Sequence, residues 1–279
     1  MNFERESSTS EMCCTPQRLN EWIEVQDSLK ECLITEDEFD WKVPAMEGQG
    51  SGVVEGNQDS CSVEELKYIG GVDLSFCKND PSIACASLVV LEFPAMEVVH
   101  EDFAIVRMDI PYVAGFLAFR EAPCLLELLE KMKKEACSFY PQVVMVDGNG
   151  LLHPRGFGLA CHLGVLANIP TIGIGKNLHH VDGLTQSRVR QLLEVNQNTS
   201  GGIFPLIGDS GSTLGAAMLS TKDALKPIFI SVGHRISLAS AIKIVKLCCR
   251  FRVPEPVRQA DIRSKVHLWK HGSSLSPNP

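Results

Sequence analysis

Two aspartates stand where a hydrophobic strand should tolerate no charge. Asp73 lies inside Ile69-Gly70-Gly71-Val72-Asp73-Leu74-Ser75-Phe76, and Asp147 closes Val143-Val144-Met145-Val146 ahead of Gly148-Asn149-Gly150. Burying a lone carboxylate is costly unless a positive group meets it. If the two strands are neighbours, the carboxylates converge into the hard-oxygen donor set that a divalent cation takes. An Asp turn before Gly148 and a salt-bridged Asp73 explain the same residues equally well. Glu121 follows Gly115-Phe116-Leu117-Ala118-Phe119-Arg120 and precedes Ala122-Pro123, which puts it in a helix's first turn. An acid there already suits the positive end of the dipole and needs no further role. His153, in Gly150-Leu151-Leu152-His153-Pro154-Arg155-Gly156, falls on a turn-rich segment, and Lys176 ends Ile172-Gly173-Ile174-Gly175. Either could meet a phosphate, although a lysine at a strand end is commonly just solvated.

Three local patterns point elsewhere and fail. Gly173-Ile174-Gly175-Lys176 resembles the end of a phosphate-binding Walker loop, but Pro170 replaces the required glycine and Asn177 the required Ser/Thr. Gly208-Asp209-Ser210-Gly211 mimics a serine-protease loop, but Ser212 follows it and the disulfide-free setting is wrong for that class. Gly148-Asn149-Gly150 lacks the third glycine of a dinucleotide fingerprint.

The elements that must hold these residues are legible as short apolar runs. Tyr68 to Phe76, Ala84 to Phe93, Val98 to Arg107, Val143 to Asp147, Thr171 to Gly175 and Pro227 to Val232 read as strands. Helical patterns lie between them: one over Leu125 to Met132 beginning at Pro123, one over Gly156 to Ala167, and one over Leu238 to Leu247. That order predicts a mixed α/β sheet, antiparallel at first and parallel later. Before it, Leu19 to Leu33 predicts an amphipathic helix and the Gly/Ser-rich Met46 to Ser62 a linker.

A chain of 279 residues with 44% hydrophobic and 22% charged content suits one large domain with an appendage. With no apolar run long enough to span a bilayer and a polar, acidic start, we expect an intracellular protein without membrane partners. Eleven cysteines, an odd number without any Cys-x-x-Cys, are expected as reduced thiols and not as a zinc site. The net charge of −8 argues against a nucleic-acid partner only as an average, because residues 1–67 hold 16 acids and 5 bases. From Lys222 onward there are 11 bases and 3 acids, a basic surface or a merely solvated face.

Taken in order, six motifs closely resemble the endonuclease V family: Gly-Gly-Val-Asp73; Pro111-Tyr112-Val113-Ala114-Gly115-Phe116-Leu117-Ala118-Phe119-Arg120-Glu121; Val-Asp147-Gly-Asn-Gly-Leu-Leu-His153-Pro-Arg-Gly156; Gly-Lys176; Gly208-Asp-Ser-Gly; and Gly233-His234-Arg235. The resemblance runs from about Tyr68 to Ser264, 197 of 279 residues, and Phe251 to Asp261 looks like the vertebrate branch. It implies a ribonuclease H-like fold over 68–264, after an acidic helix and linker over 1–67 and before a short disordered tail over 265–279. It also implies a Mg²⁺-dependent endonuclease, with Mn²⁺ as a substitute, that recognises inosine and cuts the second phosphodiester on its 3′ side.

By the same resemblance Asp73, Asp147 and Glu121 are metal ligands, and Asp261 is a fourth carboxylate. Lys176 and His234 sit near the scissile phosphate, His153 near the metal or substrate, and Arg155 near substrate. Pro111 and Tyr112 form a wedge that takes the base's place in the stack, and Gly115, Leu117, Gly148 and Gly150 form the pocket that receives it. Ala114 stands where bacterial members have Pro, a departure shared with vertebrate-like, RNA-preferring relatives. The implied substrate is inosine-containing single-stranded RNA, with deaminated DNA second, cut by a monomer in cytoplasm, nucleus or nucleolus. A DNA-repair enzyme acting on deoxyinosine and a non-cleaving binder of inosine-containing RNA are the alternatives, and Arg250, Arg252 and Arg258 are the expected phosphate contacts.

Overall fold

The computed structural model describes residues 15–44, 64–195, 202–221 and 224–271. An eight-stranded sheet forms its centre, built from β1 (Tyr68–Phe76), β2 (Ile83–Glu92), β3 (Glu97–Arg107), β4 (Val143–Asp147), β5 (Thr171–Gly175), β6 (Ile203–Ile207), β7 (Thr213–Met218) and β8 (Ile228–His234). The strand order is β3-β2-β1-β4-β5-β8-β7-β6. β1, β4 and β5 run parallel at the centre, while β2 and β3 on one side and β8, β7 and β6 on the other add antiparallel strands. This is the mixed α/β architecture expected from the sequence, with a second antiparallel edge that the sequence reading did not contain.

Central strands are covered on both faces, so they read as continuous apolar runs. Alternate residues divide between two cores: Ile69, Met145 and Ile172 face Val257, Ala260, Ile244 and Val245, whereas Val72, Val144 and Val146 face Leu125, Leu129, Met132 and Leu163. The first face is therefore covered by α5 (Leu238–Leu247) and α6 (Glu255–His271), and the second by α2 (Leu117–Lys134) and α3 (Leu159–Ala167). α1 (Pro16–Glu31) starts with Thr15 accepting from the Arg18 amide and Pro16 at its first position, and α4 (Gln186–Val195) lies beside β6. No helix among the described residues is long and apolar enough to cross a membrane, and the eight cysteines among them are free.

Several boundaries differ from the sequence reading for identifiable reasons. β6 and β7 were unpredicted: β6 is a partly exposed edge strand with Pro205 inside it, which is where a sheet tolerates proline. Pro123 does not begin α2 but lies within it, so Glu121 is past the first turn. α6 extends to His271, so the expected tail boundary at 264/265 falls inside a helix. α1 and the segment after it pack on the body: Trp22 stacks on Phe119 at 5.1 Å, Trp41 joins the main core, and Lys42 pairs with Glu65. The expected linker, Met46 to Ser62, lies outside the described residues.

Candidate active site

Register explains why the two strand aspartates meet. β1 and β4 are parallel neighbours whose last pair is Val72↔Val146, so Asp73 and Asp147 stand side by side one residue later. Asp261 arrives from α6, which lies so close to β1 that a Cβ on Gly71 would sit 2.0 Å from the Pro256 carbonyl oxygen. Only glycine allows that approach. Serines fasten the helix to the strands: Ser264 Oγ donates to Asp73 Oδ2 at 3.0 Å and approaches Ser75 Oγ at 2.7 Å, and Ser87 Oγ donates to the Ala260 carbonyl at 3.2 Å. Ser75 Oγ also donates to Asp73 Oδ2 at 3.1 Å. Ligand oxygens of Asp73, Asp147 and Asp261 thereby lie within 4.8 Å of one another.

The electrostatics of this trio are those of a site short of positive charge. Burial, and then the charge of Asp147, push the Asp73 carboxyl up to about 7. Lys176, at the end of β5, approaches Asp147 Oδ2 at 2.5 Å and Asp261 Oδ1 at 3.7 Å. Burial works against its ammonium charge, but the three aspartates outweigh that and raise its pKa. Lys265 holds the outer side of Asp261 with 2.8 Å contacts. Three clustered carboxylates offering hard oxygens, with their nearest ammonium groups on Asp147 and Asp261 and only hydroxyls on Asp73, fit a divalent cation.

Glu121, expected as a metal ligand, is not in the trio; α2 brings it from the other face of the sheet. Its carboxyl is nevertheless close enough to feel the site. Burial raises it to about 7, Arg120 opposes, and Asp73 and Asp147 add to the rise. Asp261 was reached from the sequence only through the family resemblance, since α6 has no strong apolar periodicity to announce it. Ser75 and Ser264 were missed altogether; a serine two residues after Asp73 in an apolar strand was the available signal.

A cleft of ≈ 150 Å³ opens nearby, lined by Gly115, Leu117 and Gly148 of the expected pocket, by Tyr112 of the expected wedge and by His153. Asn149 and His179, which the sequence reading did not select, also line it. Gly115 holds φ +84, a left-handed turn that leads into α2. Tyr112 is 64% exposed above the cleft, and its hydroxyl makes no hydrogen bond among the described residues. Pro111 precedes it in the same loop. Burial, then His179 and Arg155, push His153 down to about 4, so it is a neutral imidazole near pH 7.

Other expected residues fall elsewhere. His234 pairs with Thr171, at the start of β5, whereas Lys176 follows its end. At the rise of an extended strand the five residues from Thr171 to Lys176 span about 16 Å, so His234 is not beside Lys176. Its Nδ1 instead accepts from the Ile34 amide at 3.3 Å. Gly150 does not line the cleft: a Cβ there would be 1.9 Å from the Val232 carbonyl, so it serves close packing against β8. Arg155 is turned toward α1, with 3.0 Å to Asp27 Oδ1 and its guanidinium over the Phe116 ring. Arg250 donates to the Ala95 carbonyl, and Arg258 pairs with Glu255 over the Phe251 ring. Arg252 donates to the carbonyls of Lys176, Pro227 and Lys226. These three arginines are committed to protein acceptors. The Gly208 to Gly211 loop is a turn in which Ser210 donates to Asp182.

Most of the chain matches known proteins. The endonuclease V family model matches residues 53–262. Human endonuclease V is 53% identical over 205 residues, covering 74% of this chain and 73% of the human protein, and mouse endonuclease V is 50% identical over 218 residues, covering 78% and 64%. The crystal structure of the human catalytic domain superposes with a TM-score of 0.82 at 44% identity, over 93% of this chain and 99% of that one. Endonuclease V of Ciona intestinalis, solved with a 24-nucleotide DNA containing an inosine followed by a ribo-adenosine, gives 0.78 at 34% identity, over 92% and 99%. With a family model spanning most of the sequence and carboxylates converging from β1, β4 and α6, the chain belongs to the endonuclease V family of nucleic-acid hydrolases.

Proposed function

We propose that this protein is a metal-dependent endonuclease that recognises inosine and hydrolyses the second phosphodiester on its 3′ side, with single-stranded RNA preferred. The observation that carries the reading is the convergence of Asp73, Asp147 and Asp261 within 4.8 Å, beside Lys176 and the Tyr112 cleft. Bound to these carboxylates, Mg²⁺, or Mn²⁺ in its place, would supply a Lewis acid that acidifies a water and offsets charge on the leaving oxygen. The remaining parts belong to the chain. Lys176 presents an ammonium to the phosphate, and Glu121, whose carboxyl is raised to about 7, holds or releases a proton near neutral pH. Tyr112 lays its ring where the displaced base had stacked, and the cleft beside Gly115 and Gly148 receives that base.

Sugar preference depends on contacts to the 2′-hydroxyl. The ribo-adenosine that follows the inosine in the Ciona complex supports a role for that hydroxyl on the 3′ side. The test is cleavage of matched inosine-containing RNA and DNA oligonucleotides, with Mg²⁺ and with chelator, and mapping of the cut. Faster cutting of RNA, one nucleotide beyond the inosine's 3′ neighbour bond and abolished by chelator, is expected. Equal cutting of adenosine controls, or undiminished cutting in chelator, would overturn the reading.

A further inference from the structure

We propose that Gln26, on α1, is a positioning residue that sets the width of the base cleft by tying together its two backbone walls. Its side chain is 1% exposed, yet it sits among polar atoms. Nε2 donates to the Gly115 carbonyl at 3.3 Å and to the Phe157 carbonyl at 3.0 Å. Oε1 accepts from Arg155 Nε, so amide donors and acceptor are all engaged and the amide orientation is fixed by its partners. Gly115 and Phe157 both line the cleft, one from the loop carrying Tyr112 and the other from the segment after His153. No direct backbone hydrogen bond joins these two segments at that point among the described residues.

The geometry also explains why this glutamine is held so firmly. One turn before it, Trp22 stacks on Phe119 of α2 and approaches Phe116 at 6.0 Å, and one turn after it Lys30 donates to the Arg155 carbonyl at 3.2 Å. Gly115 sits at φ +84, where the backbone has no side chain of its own to fix the peptide's direction. Gln26 supplies that constraint from outside. α1 precedes the residues that the family model covers, so the constraint comes from a part of the chain that looks like an appendage.

This role presupposes the inosine-directed cleavage proposed above, and the two fail differently. Cleavage of inosine-containing and adenosine-containing RNA is measured for wild type, Gln26→Met and Gln26→Glu, with thermal unfolding of each. Met removes all three hydrogen bonds at similar volume, and Glu keeps the acceptor for Arg155 but loses both donors. Both variants should raise KM for the inosine RNA by roughly tenfold or more, the size of one to two lost hydrogen bonds, with kcat at saturation little changed. In a Tyr112→Ala background the Gln26 change should cost much less, because both act through one loop. If wild type shows no preference for inosine, the parent reading fails. If wild type discriminates and both variants keep its KM, if the two changes add fully, or if neither variant folds, Gln26 is a fold residue and the proposal is overturned.

Discussion

Asp73→Asn should make the metal-free protein more stable while ending catalysis. In the folded chain the Asp73 carboxyl is buried beside Asp147 and pushed from 3.8 to about 7. A carboxyl raised on folding binds a proton in the native state that the unfolded chain has already released. Stability therefore falls as pH rises between about 4 and 7, and the penalty is complete above that range. At about 1.4 kcal/mol per tenfold, the full cost is ~4 kcal/mol, and mutual adjustment with Asp147 and Asp261 leaves roughly 2–4 kcal/mol. Asparagine carries no charge, and the Ser75 and Ser264 hydroxyls that now donate to Asp73 can rotate to accept from its amide. Urea unfolding in chelator at pH 8 should show the variant more stable by that amount, with the difference nearly gone at pH 4. Added Mg²⁺ should stabilise wild type and leave the variant unmoved. A variant less stable than wild type at pH 8, or a difference independent of pH, would refute the account of the site as charge-strained.

Tyr112→Ala should lose about 1–3 kcal/mol of substrate interaction, the usual worth of one stacked base, whereas Tyr112→Phe should be nearly silent because the hydroxyl has no partner among the described residues; equal impairment of both in cleavage of inosine RNA would remove the wedge role. His234→Ala should leave kcat close to wild type and lower stability by about 1 kcal/mol through the Ile34 amide, read by denaturant unfolding; a collapse of kcat in folded protein would return His234 to the phosphate site. Gly71→Ala should displace α6 and abolish both Mg²⁺-dependent stabilisation and activity, since its Cβ would overlap the Pro256 carbonyl; unchanged metal response would show that α6 does not need that approach.

What could be read from sequence followed physical visibility. β1, β4 and β5 are buried on both faces, so their apolar runs stood out at their observed limits, with Asp73 inside β1, Asp147 ending β4 and Lys176 directly after β5. β6 did not, because Pro205 and exposed alternate positions hide an edge strand in a loop-like composition. Gly150 and His234 are conspicuous as motif residues, but one packs on Val232 and the other holds Ile34. Membership of a motif does not by itself give a residue a place in the chemistry. Gln26 and Ser264 escaped for the opposite reason: single polar residues on a helix carry no local pattern, and only tertiary contact gives them meaning.

The docking of α6 on Gly71 ties the site to the order in which the chain is organised. Asp73 and Asp147 can be neighbours once β1 and β4 pair, but Asp261 joins them only after a loop of nearly two hundred residues has closed. A partly folded chain with β1 to β5 in place presents two carboxylates and no competent centre. A cation held by all three carboxylates would therefore bind only the finished fold and would protect β1 and α6 together against opening. An endonuclease assembled this way lacks the third carboxylate of its site until α6 has docked.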